Sequence, residues 1–399
     1  MIDMTIKNES LELHKKYKGK ISIESRIKIE NSYDLSLAYS PGVSEPCLKI
    51  YENPEDVYTY TSKGNIVAVI SDGSAVLGLG NIGPEAAIPV MEGKAILFKK
   101  FGNVDAIPLC LNTNDVDEIV RVCKILTPSL GGINLEDISA PRCVEIERRL
   151  INELNIPVFH DDQHGTAIVV LAALINCLRL TKKSKNDLKV VVSGTGAAGS
   201  AIIKLLYKFG FRKIHAYDLN GVLHPSKSDT YDFLRKELLN YVDNSNTKNN
   251  LADLIKDADI FIGVSAANIL TKEMVLCMNK NPWILALANP NPEIMPEIAK
   301  DAGASIICTG RSDYPNQVNN LLVFPGLFRG VLDSRIKIIT DDLKLEVAKS
   351  IAYIIKDSEL NETNLIPSPF NESVSKSVAN TVKVFAEGHK EISQLLDKV

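Results

Sequence analysis

The chain has 399 residues, of which 45% are hydrophobic and 24% charged, so its composition is that of a globular protein long enough for two domains. The net charge of −4 comes without a basic stripe, which argues against nucleic acid as a partner. No uninterrupted apolar run reaches the roughly 18 residues that cross a bilayer, so we expect no membrane partner. The seven cysteines are scattered without a CxxC pair, which predicts free thiols and a cytoplasmic location.

Strand-like and helix-like runs alternate in two series along the chain. The first series has predicted strands at 66–70, 104–111, 132–135 and 156–159, separated by helices at 83–101, 115–126 and 141–154. A strongly apolar helix is predicted at 164–180. The second series has strands at 188–193, 213–217, 260–263, 283–287 and 305–308, a helix at 197–209, and closing helices at 341–356 and 371–392.

This alternation predicts an α/β fold with parallel sheets covered by helices. We expect an N-terminal α/β domain over 1–160. A Rossmann-type, doubly wound dinucleotide-binding domain with C-terminal helices follows over 161–399. The polar segment 221–250 is predicted to be a surface excursion from the second domain.

A glycine-rich turn between a predicted strand and a predicted helix indicates the dinucleotide site. Gly194 would form the tight turn, Gly196 would let the backbone approach a pyrophosphate, and Gly199 would allow close packing of helix and strand. The rest of this turn, whose N–H groups would face phosphate oxygens, consists of Thr195, Ala197 and Ala198.

An acidic residue in the expected place supports the same site. Asp218, 19 residues beyond Gly199, ends the next predicted strand and would accept a hydrogen bond from the ribose 2′-hydroxyl. An acid there favours NAD, but Lys227 offers a cation for a 2′-phosphate. The sequence therefore leaves NAD and NADP both open.

Two acidic pairs follow predicted strands of the first series. Glu136 and Asp137 come after the strand at 132–135, and Asp161 and Asp162 come after the strand at 156–159. The carboxyl ends of parallel strands meet at one edge of a sheet, so these pairs would share a crevice. Carboxylates crowded together repel unless a cation neutralises them, and oxygen ligands suit Mg2+ or Mn2+. The alternative is that they are ordinary solvated loop acids.

A zinc site is a rival interpretation of the same segment. His160 and His164 are four residues apart, as in zinc-protease helices. However, His160 closes a predicted strand, so the two rings would not share one helix face, and no glutamate follows His160. We therefore disfavour zinc hydrolysis.

These residues, together with further motifs, resemble the malic enzyme family over about residues 20 to 390. The motifs are Tyr39-Ser-Pro-Gly-Val43, Asp72-Gly-Ser-Ala-Val-Leu-Gly-Leu-Gly80, Met91-Glu-Gly-Lys94, Asp161-Asp-Gln-His-Gly-Thr-Ala167, Ala288-Asn-Pro-Asn291, and Asn316-Gln-Val-Asn-Asn320 leading into Phe324-Pro-Gly326. The order and number of these motifs make the resemblance specific.

The resemblance implies roles for individual residues. It assigns Tyr39 as the acid that protonates the enol, Lys94 as the base, and Asp161 as the acidic partner that orients Lys94. As a base Lys94 must be neutral, which predicts a lowered pKa. The implied metal ligands are Glu136, Asp137 and Asp162, and the implied contacts to substrate and the nicotinamide end are Asn289 and Asn320.

The resemblance implies a metal-dependent oxidation and decarboxylation of L-malate to pyruvate and CO2 by a homodimer, with decarboxylation of oxaloacetate as a further activity. A malolactic-type decarboxylase and a non-catalytic NAD-binding sensor are the alternatives. One position departs from the larger members of the family, which carry an arginine where this chain has Ala75. That arginine is associated with the substrate carboxylate, so the resemblance does not extend to this contact.

Overall fold

The computed structural model describes residues 4–76, 78–245 and 249–396. Four short stretches of the predicted regions lie outside the described residues. They are Leu77 of the glycine-rich motif, residues 246–248 of the polar segment, and the ends of the two predicted domains, 1–3 and 397–399. The first sheet consists of β1 (Ile66–Ser71), β2 (Asp105–Cys110), β3 (Gly132–Leu135) and β4 (Val158–His160). All its strands are parallel, in the order β2-β1-β3-β4. β1 and β3 are almost wholly buried, as parallel strands covered on both faces must be.

The helices of this first part differ sharply in burial. They are α1 (Met4–Tyr17), α2 (Ser32–Ala38), α3 (Ser44–Glu52), α4 (Val57–Tyr60), α5 (Pro84–Gly102), α6 (Val116–Leu126) and α7 (Arg142–Glu153). α5, α6 and α7 each bury an apolar face. By contrast, α2, α3 and α4 bury no residue.

Helix α8 (Asp161–Thr181) joins the first sheet to the second and forms the centre of the core. Every residue from 167 to 177 is buried. Length and composition alone would allow this helix to cross a membrane, but its burial inside the fold is that of a core helix. It begins three residues before the predicted start, because Asp161 and Asp162 place negative charge in the first turn, where the helix dipole favours it.

The second sheet has a topological switch at its centre. Its strands are β5 (Lys189–Ser193), β6 (Lys213–Asp218), β7 (Gly221–Val222), β8 (Ile260–Gly263), β9 (Trp283–Ala286) and β10 (Ile306–Thr309). They lie in the order β10-β9-β8-β5-β6-β7, all parallel except β7. From β5 the chain adds β6 and β7 on one side and then returns to add β8 on the other, and this reversal of strand order opens a crevice beyond the carboxyl ends of these strands. The doubly wound α/β fold predicted from the sequence is confirmed.

The remaining helices cover the second sheet and close the molecule. They are α9 (Ala197–Phe209), α10 (Phe233–Leu238), α11 (Leu251–Leu254), α12 (Lys272–Leu276), α13 (Pro296–Asp301), α14 (Phe324–Ser334), α15 (Asp341–Ala352) and α16 (Ser373–Leu396). A Cβ added to Gly330 would lie 2.5 Å from Val382 Cβ, so glycine lets α14 approach α16. Phe324 of α14 also packs on Phe98 of α5, at 4.7 Å between ring centroids. The closing helices therefore contact the first part of the chain as well as each other.

Several predicted segments differ from the observed ones. β4 begins at Val158 rather than at 156, since Pro157 has no N–H for the sheet. The helix predicted to end at 356 ends at Ala352. The segment 221–250, predicted as a polar excursion, contains β7, α10 and the buried Leu234 and Leu238, whose spacing of four places them on one helix face.

Candidate active site

A buried lysine lies at the carboxyl edge of the first sheet. Lys94 comes from α5 and is only 7% exposed. Its Nζ lies 2.5 Å from Asp161 Oδ2 and 2.8 Å from Glu136 Oε1, and 4.2 Å above the centre of the Phe324 ring. The structure thus brings Lys94 together with Asp161, the partner that the family resemblance implied.

The charges around Lys94 oppose the lowered pKa expected of a base. Burial lowers the pKa of Lys94, but the carboxylates of Asp161, Glu136 and Asp162 outweigh burial and raise it. Burial in turn raises the pKa of Asp161 to about 7, despite the nearby ammonium. Among protein groups alone, the site therefore favours a protonated Lys94.

Three carboxylates beside Lys94 have the spacing of metal ligands. Oxygens of Glu136, Asp137 and Asp162 lie within 4.8 Å of one another. Glu136 and Asp137 follow β3, while Asp162 belongs to the first turn of α8. The N–H of Asp137 donates to Asp162 Oδ2 at 2.8 Å, and Asn134 Nδ2 donates to Glu136 Oε2 at 2.8 Å. The first bond connects the two strand ends at the point predicted from the sequence, and the second fixes Glu136 against its own strand.

The donor set fits a hard divalent cation. Burial, with the neighbouring carboxylates, raises the pKa of Glu136 to about 7 and that of Asp162 to about 6. Such crowding of like charge is unfavourable unless a cation compensates it. Carboxylate oxygens without sulfur or imidazole ligands match the preference of Mg2+ and Mn2+.

Neither histidine belongs to the group with metal-ligand spacing, although His160 Nε2 lies 3.5 Å from Asp162 Oδ2. His164 Nε2 lies 2.8 Å from Glu147 Oε2, which pulls its ring towards α7. His160 precedes the first turn of α8 and is completely buried. The group with metal-ligand spacing found among the described residues contains carboxylates alone, which speaks against the zinc interpretation.

The glycine-rich turn after β5 has the geometry expected of a dinucleotide loop. Gly194 has a φ of +109°, and a Cβ on it would lie 2.7 Å from the carbonyl oxygen of Val264. A Cβ on Gly199 would lie 1.9 Å from Gly194 O, whereas one on Gly196 would meet no atom within 4 Å. The turn thus needs glycine at 194 and 199 for packing and leaves open space at 196. Helix α9 begins directly after it, with Ala197 and Ala198.

At the end of β6, Asp218 is part of a network that the sequence did not reveal. Thr195 Oγ1 donates to Asp218 Oδ2 at 2.6 Å, and Arg235 Nε donates to the same oxygen at 2.7 Å. Arg235 also pairs with Asp232 at 2.6 Å. Arg235 was missed because it lies in the polar segment 221–250, where no motif singles it out.

The two candidate asparagines occupy different parts of the crevice. The side chain of Asn320 lowers the pKa of Asp161, and a Cβ added to Gly165 would lie near both residues, so Asn320 adjoins the lysine cluster. Asn289 follows β9 and lies close to two glycines. A Cβ added to Gly310 would lie 2.6 Å from Asn289 Nδ2, and a Cβ added to Gly78 would lie 3.2 Å from the carbonyl oxygen of Asn289. Asn289 thus adjoins the glycine-rich loop of the first part of the chain.

Tyr39 is the candidate that the structure does not bring to the cluster. It follows α2, its side chain is 69% exposed, and neighbouring helices α2 and α3 bury nothing. Among the described residues, no hydrogen bond or ion pair joins Tyr39 to Lys94, Asp161 or Glu136.

The loop that carries Ala75 is fixed by an arginine that sequence analysis also missed. Arg142, at the start of α7, pairs with Asp72 at 2.9 Å and donates to Ser74 Oγ at 2.9 Å. The N–H of Ala75 donates to the carbonyl of Asp137 at 2.9 Å. Ala75 therefore lies next to the metal-ligand candidates, with its backbone rather than a side-chain charge engaged there.

Two family models match this chain. The malic enzyme N-terminal domain matches residues 17–151, and the malic enzyme NAD-binding domain matches residues 163–387. The chain is similar to the bifunctional malic/malolactic enzyme of Bacillus subtilis (strain 168), with 55% identity over 95% of this chain and 92% of that protein. It is 52% identical to the NAD-dependent malic enzyme of Geobacillus stearothermophilus, over 91% of this chain and 76% of that protein.

Further similarity extends to an NADP-dependent relative and to a solved structure. The NADP-dependent malic enzyme of Escherichia coli (strain K12) is 45% identical over 96% of this chain, which spans 52% of that protein. The crystal structure of the NAD-dependent malic enzyme from Thermotoga maritima matches with a TM-score of 0.91 and 47% identity, covering 94% of this chain and 98% of that one.

Proposed function

This chain belongs to the malic enzyme family, and we propose that it oxidises and decarboxylates L-malate to pyruvate and CO2 at the Lys94 cluster, with reduction of NAD+ or NADP+. The observation that carries the proposal is the buried ammonium of Lys94 between Asp161 and Glu136, next to a triad of carboxylates. Acid–base and metal-ligating groups thus meet in one crevice.

Glu136, Asp137 and Asp162 would hold a divalent cation, Mg2+ or Mn2+. Their oxygens are close enough to share one ion. When bound, the cation supplies positive charge that stabilises the negative substrate oxygens, and the dinucleotide supplies the hydride acceptor.

In this mechanism Lys94 accepts the proton of the C2 hydroxyl of malate. To do so its amine must be neutral, and the surrounding carboxylates disfavour that state. Positive charge bound by the same carboxylates would cancel part of their field and lower the pKa of Lys94. Asp161 orients the amine from 2.5 Å, and Asn320 in turn orients Asp161.

The remaining roles belong to residues around this centre. Tyr39 would deliver the proton to C3 of the enol that remains after CO2 leaves, which gives pyruvate. Asn289 and Asn320 would contact substrate and the nicotinamide end. The turn from Gly194 to Gly199 would bind the pyrophosphate, and Asp218 the adenosine ribose.

We assign residues 1–160 to the domain that carries the metal ligands Glu136 and Asp137, and 161–399 to the domain that binds the dinucleotide. The two separate sheets and the two matching family models support this division. Asp161 and Asp162, at the boundary, belong to the same centre as the first domain.

A homodimer is the assembly that the N-terminal surface supports. The helices α1 to α3 and the segments between them expose many large apolar side chains, among them Leu11, Ile23, Tyr33, Leu37, Leu48 and Tyr51. Large apolar side chains exposed in such number favour a protein interface on this part of the chain. Tyr39 lies on the same surface, so in a dimer its hydroxyl would serve the site of the partner subunit.

Seven free cysteines, without a disulfide, agree with a cytoplasmic enzyme.

A malolactic activity is the second candidate, since a relative with 55% identity is named a bifunctional malic/malolactic enzyme. Oxaloacetate would be decarboxylated at the same site, because its C4 carboxylate is already β to a ketone. Both reactions share the metal and Tyr39 with the main proposal.

A product analysis separates these possibilities. The purified chain is incubated with L-malate, either cofactor, and Mg2+, Mn2+ or EDTA. We expect equimolar pyruvate and reduced cofactor, with loss of both in EDTA. Lactate formed without net cofactor reduction would favour the malolactic candidate. Absence of any product with both cofactors and both metals would overturn the proposal.

A further inference from the structure

The pocket beyond β6 contains a guanidinium held by two carboxylates. Arg235 donates through Nε to Asp218 at 2.7 Å and to Thr195 Oγ1 at 3.2 Å, and through Nη1 to Asp232 at 2.6 Å. Two carboxylates and one guanidinium leave this network with a net charge of −1. Burial raises the pKa of Asp218, but hydrogen bonds from Thr195 and Arg235 outweigh burial and lower it, so the carboxylate stays ionised.

We propose that Arg235 is a positioning residue for cofactor specificity, an inference that rests on the cofactor site proposed above. Arg235 holds the Asp218 carboxylate towards the adenosine ribose. The pocket therefore selects a free 2′-hydroxyl over a 2′-phosphate. Asp218 Oδ1 accepts only the N–H of Asn220 among the described hydrogen bonds, at 2.7 Å, which leaves it lone-pair capacity for a hydroxyl. A phosphate would instead meet an ionised carboxylate.

The neighbouring groups of this turn differ in what they offer a phosphate. Leu219, directly after Asp218, is 99% exposed and its side chain has no donor. Lys227 Nζ donates to the carbonyl of Asn220 at 3.3 Å. Arg235 itself faces carboxylates through both Nε and Nη1. Loss of the Asp218 carboxylate would free Arg235 Nε for a phosphate while Asp232 still holds Nη1, so the pair is a two-residue specificity switch.

The test measures binding of cofactor fragments, which needs neither malate nor turnover. The full chain is titrated by calorimetry with ADP-ribose and with 2′-phospho-ADP-ribose. We expect ADP-ribose to bind the wild type about tenfold more tightly or better, as one charge-assisted hydrogen bond is worth. Asp218→Ser should raise the affinity for the phosphorylated fragment by about tenfold, since Arg235 becomes available.

The double variant D218S/R235Q shows whether Arg235 provides that gain. We expect it to lose the gain, while Arg235→Gln alone weakens ADP-ribose without improving the phosphorylated fragment. Lys236→Gln removes a charge from an exposed neighbour on the same helix and should change neither affinity. Tighter wild-type binding of 2′-phospho-ADP-ribose, or a selective loss of it in R235Q, would overturn the proposal. Failure of malate turnover with intact fragment binding would instead count against the proposed function alone.

Discussion

Asp162 has a side chain that is 32% exposed, in the first turn of α8, and it links the two halves of the proposed metal site. Its Oδ2 accepts the N–H of Asp137, so an asparagine in its place keeps the shape and one hydrogen-bond acceptor. We expect Asp162→Asn to weaken Mn2+ binding by at least about tenfold and to abolish malate oxidation, because the triad loses a charged ligand. Titration of free Mn2+ by electron paramagnetic resonance measures the binding.

Asp117→Asn is the matched control, since Asp117 is 81% exposed and lies on the surface of α6. This variant should bind Mn2+ and turn over as the wild type does. Unchanged Mn2+ affinity in Asp162→Asn, with the fold intact by circular dichroism, would remove Asp162 from the metal site.

At the scale of elements, Glu147 fastens α7 to the beginning of α8. Its carboxylate accepts hydrogen bonds from the N–H of His160 at 2.8 Å and from Gln163 Nε2 at 3.2 Å, and it lies 2.8 Å from His164 Nε2. The turn that carries Asp161 and Asp162 is thereby tied to a helix of the first sheet. A single buried carboxylate thus holds in place the turn that carries Asp161 and Asp162.

This contact predicts a specific pH dependence of stability. Burial raises the pKa of Glu147, but His164 and Lys344 outweigh burial and lower it from 4.5 to about 2. A lowered carboxyl pKa contributes stability above the ordinary value, and that stability is lost as the pH falls from about 5 towards 2. We expect Glu147→Gln to lower the free energy of unfolding by about 2–3 kcal/mol at pH 7, and by much less near pH 3. Urea unfolding at both pH values measures the difference.

Glu145→Gln serves as the comparison, because Glu145 lies on the same helix with a side chain that is 48% exposed. Its effect should be small at either pH. An equal loss of stability in Glu147→Gln at pH 7 and pH 3 would show that the lost hydrogen-bond acceptor, rather than the charge, accounts for the contact.

For the whole molecule, the exposed apolar N-terminal surface and the position of Tyr39 make one prediction about assembly. A homodimer of the Tyr39→Phe variant and a homodimer of the Lys94→Ala variant should each show impaired malate turnover. If Tyr39 serves the partner subunit, a mixed dimer of the two variants has one intact site and should recover about half of the wild-type activity per dimer. Co-expression with two different affinity tags isolates the mixed dimer.

A mixed dimer of two wild-type chains with the same tags is the reference for that measurement. An inactive mixed variant beside an active reference would place Tyr39 and Lys94 of the same chain in one site. A monomer in solution, by analytical ultracentrifugation, would contradict the dimer itself.

The sequence by itself determined the α/β fold, the glycine turn, and the two acidic pairs at strand ends. These features follow from local periodicity and from the rule that parallel strands present their carboxyl ends at one edge. The family motifs then identified the reaction, which the comparisons support at up to 55% identity.

Only the tertiary structure decided which charges meet. Lys94 and Asp161 are 67 residues apart, and Arg235 reaches Asp218 across 17. Such pairings depend on strand order and on how helices cross the sheets, which local patterns do not encode. The structure also separated Tyr39 from the cluster that the motifs had placed beside it, because residue type specifies chemistry while packing specifies neighbours.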